Sequence, residues 1–480
     1  MFTVIRDWIE RAAAAHGRDL YLADARGPAG LSYAGLLETV ADVERRLDAA
    51  GLPPGARILV RLSEPVEYAT ALVAIVAAGR VAVPLDPAAP DTDVARVVGV
   101  ARPAGVVYRA DAAPAGAQGD RMGEAKRPFD KAEFDFDVID DFDPSNEGHA
   151  GGIFLCTSGT TGTPKGILLR EPQLAHVAAS VVETHRLGRG DRGYCSLPLF
   201  HVNAAVVGLL ATLRAGAYLA LDRKFSRRGF WPMISERRIT WINAVPAIIS
   251  ILAIEPPVER PAALQKFERA LGVPVVETYG MTEAASMITA NPVDGPRKPG
   301  SAGRPAGSQV RILLSGGDAA GPGEVGRVQI RGAGVISSYD SGGRPGVIDP
   351  DGWLDTSDLG YLDADGYLFL VGRADDVINR GGEKIYPREI EEILLAQPGV
   401  RSAAVVGAVD EVLGERPVAY VVTDVSLVAA EVEAALREVC AARLPRHKQP
   451  SEFCLVTEMP LGPTGKISRR QLKDLVSSRP

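Results

Sequence analysis

Cysteine is scarce: Cys156, Cys195, Cys440 and Cys454 are the only four in 480 residues. They lie too far apart for metal-ligand spacing or a disulfide framework, which points to a reducing compartment. An excess of basic charge is also lacking. The formal net charge of -7 argues against a nucleic-acid-binding surface and mainly favours solubility. Long unbroken apolar runs are missing too, because Arg80 and Arg214 interrupt the two longest, so no membrane span is expected. The segment Met1–Glu10 carries acidic residues where a signal peptide needs an apolar core, and a cytoplasmic location is expected. Neither an internal repeat nor a low-complexity tract stands out.

What is present is ordinary globular composition, 46% hydrophobic and 24% charged, with mean hydropathy near zero. At 480 residues the chain exceeds one core and should form two or more domains.

One stretch organises the rest: Thr157-Ser158-Gly159-Thr160-Thr161-Gly162-Thr163-Pro164-Lys165-Gly166. Its three glycines free the backbone to curl, so that amide N–H groups can converge on an anion. Five hydroxyls add donors, and Lys165 adds a compact positive charge. Apolar runs on either side, Gly152–Cys156 and Gly166–Leu169, read as strands, which makes the loop a hairpin tip. It is not a Walker A loop, since Pro164-Lys165 stands where that pattern needs Gly-Lys. Taken alone, the stretch is equally compatible with a surface turn.

Upstream, residues 5 to 50 read as helical around a short extended piece at Gly30–Tyr33. Leu36, Leu37, Val40, Val43 and Leu47 mark one buried helix face. Strand, helix and strand follow at Ile58–Leu62, Pro65–Gly79 and Val81–Leu85, with a further strand at Gly105–Tyr108. This alternation predicts parallel sheet covered by helices. Residues 111 to 151, including the acidic run Phe134–Asp141, read as a solvated connection.

Downstream, a helix is expected over about 172 to 183, and His201 falls just past a strand. An apolar helix covers residues 203 to 213. Strands follow at Tyr218–Leu221 and Trp241–Val245, with a helix from Pro246. Val273–Glu277 reads as a short strand delivering Thr278-Tyr279-Gly280-Met281-Thr282-Glu283 to a sheet edge, where ligands bind in open α/β folds. Val328–Arg331 and Leu368–Val371 read as strands of a β region. From about Arg373 the chain reads as a compact unit of its own. It comprises a hairpin over Ile378–Ile385 through Gly381-Gly382 and a helix Pro387–Ala396 with its proline in the first turn. Strands at Ala403–Val406 and Ala419–Val422, and a helix from about Ala429 to Leu444, complete it.

Five motifs, in order, resemble the core motifs of the adenylate-forming superfamily: Thr157–Gly166, Tyr279–Glu283, Asp358, Gly372-Arg373 and Pro463-Thr464-Gly465-Lys466. That superfamily holds acyl- and aryl-CoA ligases, peptide-synthetase adenylation domains and firefly-type luciferases. The likeness covers nearly the whole chain, including Leu31-Ser32-Tyr33 and Val83-Pro84-Leu85-Asp86-Pro87. The fold it implies is α/β: a large N-terminal domain, residues 1–373, of parallel and mixed sheets layered with helices plus a β region. A small mobile α+β C-terminal domain, residues 374–480, carries the catalytic lysine.

The resemblance also implies ATP, Mg²⁺ and coenzyme A. On that basis Thr157, Ser158, Gly159, Thr160, Thr161, Gly162 and Lys165 enclose the β- and γ-phosphates. Tyr279 offers a ring face to adenine, Gly280 lets the nucleotide lie close, and Met281 belongs to the same nucleotide site. Thr282 donates to the α-phosphate and Glu283 holds Mg²⁺. Asp358 accepts from the ribose hydroxyls, with Arg373 nearby. In isolation Asp358 also suits a turn. Lys466 offsets charge between the acid and the α-phosphate. Asp375 is the hinge, and Gly381 and Gly382 line a pantetheine tunnel. Pro198-Leu199-Phe200-His201-Val202 resembles the CoA-ligase branch, so His201, Asn203, Thr278 and Met287, with Met281, contact the acid. No cationic residue enters this set, which favours a monocarboxylate with an apolar body.

The sequence departs from the family between Pro246 and Tyr279. A strand and a turn of small residues that touch adenine and acyl group are missing. Ile254–Arg260 runs almost directly into the helix expected over Ala262–Leu271. Either the element is deleted, leaving one wall of the adenine pocket absent, or a segment is skipped. Three readings result: an acid–CoA ligase; an enzyme loading the acid onto a carrier-protein phosphopantetheine; and a non-catalytic acyl-adenylate binder. Homodimer formation is compatible with all three.

Overall fold

In the computed structural model, described residues are 4–109, 134–139, 151–158, 164–252, 268, 272–343, 346–423, 429–461 and 467–477. The helix Pro65–Ala77 lies at the centre, with every residue from Val66 to Ala77 buried. Apart from Glu67 and Thr70 its faces are apolar, and such a helix is stable only when covered on every side. It packs against both parallel sheets, and its many alanines keep the layers close.

The first sheet runs, in spatial order, Phe134–Val138, Gly105–Arg109, Arg57–Val60, Val81–Pro84, Gly152–Ser158 and Pro164–Arg170. Its four inner strands are parallel and the two edge strands antiparallel. The second runs Trp241–Asn243, Arg192–Cys195, Tyr218–Leu221, Leu20–Asp24 and Gly30–Ser32. There the first four are parallel. A four-stranded antiparallel β region follows: Gln309–Leu313, Gly326–Arg331, Leu354–Leu362 and Leu368–Arg373.

Beyond Ile378 a third mixed sheet forms from Glu383–Ile385, Ile378–Arg380, Gly414–Thr423, Val400–Asp410 and Glu452–Leu455. The helices Pro387–Leu395, Ala429–Arg443 and Arg469–Ser477 accompany it. Apolar clusters of this part contain no residue from before Ile378, and those of the larger part end at Leu370. The fold class is therefore the expected one: a large α/β body with mixed sheets and a β region, followed by a smaller α+β part. Among the described residues no helix is long and apolar enough to cross a membrane.

Four element readings need correction. Leu20–Asp24 is a strand, although residues 5 to 50 read as helical. Leu22 and Ala23 are buried between neighbouring strands, so tertiary pairing overrides the local pattern. Phe134–Val138 is an edge strand and not connecting coil; Phe134 is buried, while Asp135 pairs with Arg46. The helix Asp91–Ala101 has no counterpart in the sequence reading. The apolar stretch after His201 begins as a π-helix, Asn203–Leu210, before becoming α-helical over Ala211–Ala215.

Arg80, which interrupts an apolar region, is 2% exposed. Its guanidinium donates to Leu52 O at 2.8 and 3.1 Å and to Ala78 O at 2.6 Å, and it also pairs with Asp48. The charge is tolerated because the fork satisfies carbonyls that close the loop below the helix. Arg80→Met is expected to destabilise the N-terminal body by about 3 kcal/mol, since those carbonyls lose their donor. Asp48→Asn, on a side chain 62% exposed, is expected to cost below ~1 kcal/mol. Urea unfolding of the two variants measures the difference.

Candidate functional site

The strands Gly152–Ser158 and Pro164–Arg170 form the expected hairpin, with Thr157 opposite Lys165 and Ser158 opposite Pro164. Buried Ile153, Phe154, Ile167 and Leu169 anchor it. Residues 159–163, hence Gly159, Thr160, Thr161 and Gly162, lie outside the described residues. Gly166 sits where a Cβ would come within 2.5 Å of Ser341 Oγ and 2.7 Å of the Phe154 ring. Its amide donates to Ser341 O at 3.0 Å, and its carbonyl accepts from Asp340 N at 2.9 Å. A strap from the β region is thus fastened to the hairpin base. Lys165 Nζ lies 4.9 Å from the centroid of Tyr339 on that strap.

Val273–Glu277 is not a strand, contrary to the sequence reading. Pro274 lacks an N–H for a ladder. The strand is Thr278–Met281, paired antiparallel with Ser286–Ala290, so these residues form a hairpin of their own and not the carboxyl end of a parallel strand. Its turn is the tight helical segment Thr282–Ala284, followed by Ala285 at φ 50° and Ser286 at φ 102°. Non-glycine residues occupy that region only under constraint. Thr282 is half-buried. Glu283 is 9% exposed; its Oε1 accepts from Tyr339 Oη at 3.0 Å, and its carbonyl accepts from Ile336 N at 2.9 Å. A Cβ on Gly280 would fall 1.6 Å from Ser286 O. Close strand approach therefore demands this glycine whether or not a nucleotide is bound.

Asp358 lies in the strand Leu354–Leu362 opposite Arg373, and Arg373 Nε stands 3.6 Å from its Oδ1. Asp358 N donates to Thr356 Oγ1 at 3.1 Å. The other carboxylate oxygen, Oδ2, accepts from Tyr279 Oη at 2.5 Å. Burial, reinforced by the Asp358 charge, pushes the Tyr279 phenol well above its usual range, so it stays a proton donor. That bond ties the Thr278–Met281 hairpin to the β region.

His201 closes a turn, its N–H donating to Pro198 O at 3.0 Å, with its ring 4.8 Å from that of Phe200. Asn203 Oδ1 accepts from Asn243 Nδ2 at 2.8 Å. Asn243, 6% exposed at the end of its strand, was missed by sequence reasoning. An amide in the otherwise apolar run Trp241–Val245 was the available signal. π-helical turns such as Asn203–Leu210 recur at functional sites. Met287 is 2% exposed beneath Thr184, Met281 is half-buried, and Thr278 is exposed.

In the smaller part, Asp375 occupies the turn Ala374–Asp376, and its carbonyl accepts from Lys473 Nζ at 3.5 Å. Gly381 and Gly382 have φ of 61° and 91°, the turn conformation of the hairpin they close. Gly381 N donates to Leu413 O at 2.7 Å. Lys466 lies outside the described residues. Among the described residues no three His, Cys, Asp or Glu side chains cluster as for a metal ion. A single carboxylate such as Glu283 suits Mg²⁺, which takes its remaining ligands from phosphates and water.

A family model described as AMP-binding enzyme matches residues 9–340, and one described as AMP-binding enzyme C-terminal domain matches residues 389–466. The chain belongs to the AMP-binding enzyme family. A sulfoacetate–CoA ligase of Cupriavidus necator is 41% identical over 349 residues, covering 68% of each chain. An oxalate–CoA ligase of Arabidopsis thaliana is 37% identical over 343 residues, covering 67% of this chain and 66% of that one. Among solved structures, the o-succinylbenzoate coenzyme A synthetase of Bacillus subtilis, in complex with ATP and magnesium ion, superposes with a TM-score of 0.79. It is 26% identical, and the match covers 97% of this chain and 99% of that one.

Gly280→Ala is expected to disrupt the Thr278–Met281 hairpin, with a loss above ~3 kcal/mol, because the clash is with backbone. Gly381→Ala, at a positive φ where the added methyl meets only the tip of the Leu413 side chain at 3.3 Å, should cost only about 1–2 kcal/mol. Thermal unfolding without nucleotide checks the contrast.

Proposed function

We propose that the protein is an AMP-forming acid–CoA ligase, which activates a carboxylic acid with ATP and passes the acyl group to the thiol of coenzyme A. Family membership and the acid–CoA ligases among its relatives support this reading. The carrying observation is that Lys165 and Glu283, a cation and a carboxylate suited to a metal–phosphate complex, both contact the same strap residue, one at its ring and one at its hydroxyl.

A carboxylate resists thiol attack because oxide is a poor leaving group. Attack of its oxygen on the α-phosphorus of ATP breaks the bond to the β-phosphate, releases pyrophosphate and gives an acyl-adenylate, from which the thiol displaces AMP. The chain's contribution is positioning and charge stabilisation. Backbone amides and hydroxyls of the 157–166 loop, with Lys165, hold the β- and γ-phosphates. The Tyr279 ring borders adenine, Asp358 takes the ribose hydroxyls with Arg373 beside it, and Thr282 donates to the α-phosphate. Glu283 would hold Mg²⁺, whose charge would offset that of the phosphates. Lys466 spreads its ammonium between carboxylate and α-phosphate as the new bond forms. The acid body lies against His201, Asn203 and Met287, to which Asn243 is added through its bond to Asn203.

The boundary at about Arg373, with domains 1–373 and 374–480, is supported by the separate apolar cores on its two sides. Rotation about Asp375 then presents the Gly381-Gly382 hairpin for the thioester step.

Acid-dependent ATP–pyrophosphate exchange tests the reading, with a panel that sets apolar monocarboxylates beside sulfoacetate, oxalate and succinylbenzoate. Exchange with at least one acid, and a CoA thioester by mass spectrometry, is expected; no exchange with any would overturn it. Lys466→Ala should lower exchange by roughly 100-fold while sparing thioester formation from supplied acyl-adenylate. Equal losses in both steps would contradict its role.

A further inference from the structure

Tyr339 has none of the roles assigned above, yet two of the charged groups converge on it. Its hydroxyl donates to Glu283 Oε1 at 3.0 Å, and Lys165 Nζ sits 4.9 Å from its ring centroid. The ring is held from several directions. Asp340 and Ser341 are hydrogen-bonded to Gly166, and Asp340 accepts from Arg57 at 2.6 Å. A Cβ on Gly343 would come within 2.4 Å of the ring, so the glycine leaves the ring its space.

Lys165 and Glu283 carry opposite charges in a partly dry site, and a direct pair between them would neutralise both. Among the described residues no ion pair joins them. The aromatic ring takes the ammonium on its face and the carboxylate at its hydroxyl. Fixing Oε1 also leaves Oε2 without a hydrogen-bond partner among the described residues. Both groups are thereby kept available to a ligand.

We propose that Tyr339 is a positioning residue that holds Lys165 and Glu283 apart, so that the lysine remains free for phosphate oxygens and the carboxylate for a divalent cation. This rests on the reading of those two residues given under the proposed function. Loss of the hydroxyl releases Glu283 alone. Loss of the ring also lets Lys165 close on Glu283.

Equilibrium binding of a fluorescent ATP analogue to the full chain, in Mg²⁺ and in EDTA, separates these effects, with thermal unfolding as the control for folding. Tyr339→Phe should bind within about twofold of wild type in EDTA and lose roughly tenfold in Mg²⁺, as expected for a lost hydrogen bond to a charged group. Tyr339→Leu should weaken binding in both conditions, and adding Glu283→Gln to it should restore binding in EDTA by removing the competing charge. Wild-type binding by Tyr339→Phe in both conditions overturns the proposal alone. Equal loss with and without Mg²⁺ in that variant does the same. A wild-type chain that takes up no nucleotide overturns the underlying reading with it. If Tyr339→Leu fails to fold, the near-isosteric Tyr339→Phe still decides.

Discussion

Burial of one alanine-rich helix between two parallel sheets is the constraint from which the rest follows. Pro65–Ala77 cannot face water on any side, so both sheets must close on it. Closure fixes where the carboxyl ends of the strands lie. The hairpin ending at Lys165 grows from one sheet, and Asn243 and the turn to His201 end strands of the other. Parallel sheets covered on both faces present their chemistry at such edges and not on their faces.

The β region supplies what neither sheet has. Its strap fastens to Gly166, and its strand Leu354–Leu362 accepts the Tyr279 hydroxyl through Asp358. Two hairpins from distant parts of the chain are thereby locked to one antiparallel scaffold. Lys165 and Glu283 both contact Tyr339, while Asp358 accepts from Tyr279 and pairs with Arg373.

Much of this was legible residue by residue. The hairpin Gly152–Arg170, the buried face of the helix Tyr33–Ala49, the glycine turn at Gly381-Gly382 and the proline-started helix Pro387–Leu395 each carry a local signal that the fold respects. Leu20–Asp24 and Phe134–Val138 were misread because both are short strands whose identity depends on partners elsewhere in the chain. The Val273–Glu277 expectation failed for a related reason: apolar character suggested a strand, while Pro274 and the antiparallel partner Ser286–Ala290 moved pairing to Thr278–Met281.

The order of the motifs, the absence of basic surplus and membrane-length apolar runs, and the alternation of strands with helices were determined by the sequence itself, because each is a property of spacing and composition. Which atoms face one another was decided only in three dimensions. Gly280 is required by Ser286 O, Asn243 is joined to Asn203, and Tyr339 stands between Lys165 and Glu283. These contacts link residues 6 to 174 positions apart, and no local pattern encodes a partner that chain folding alone brings near.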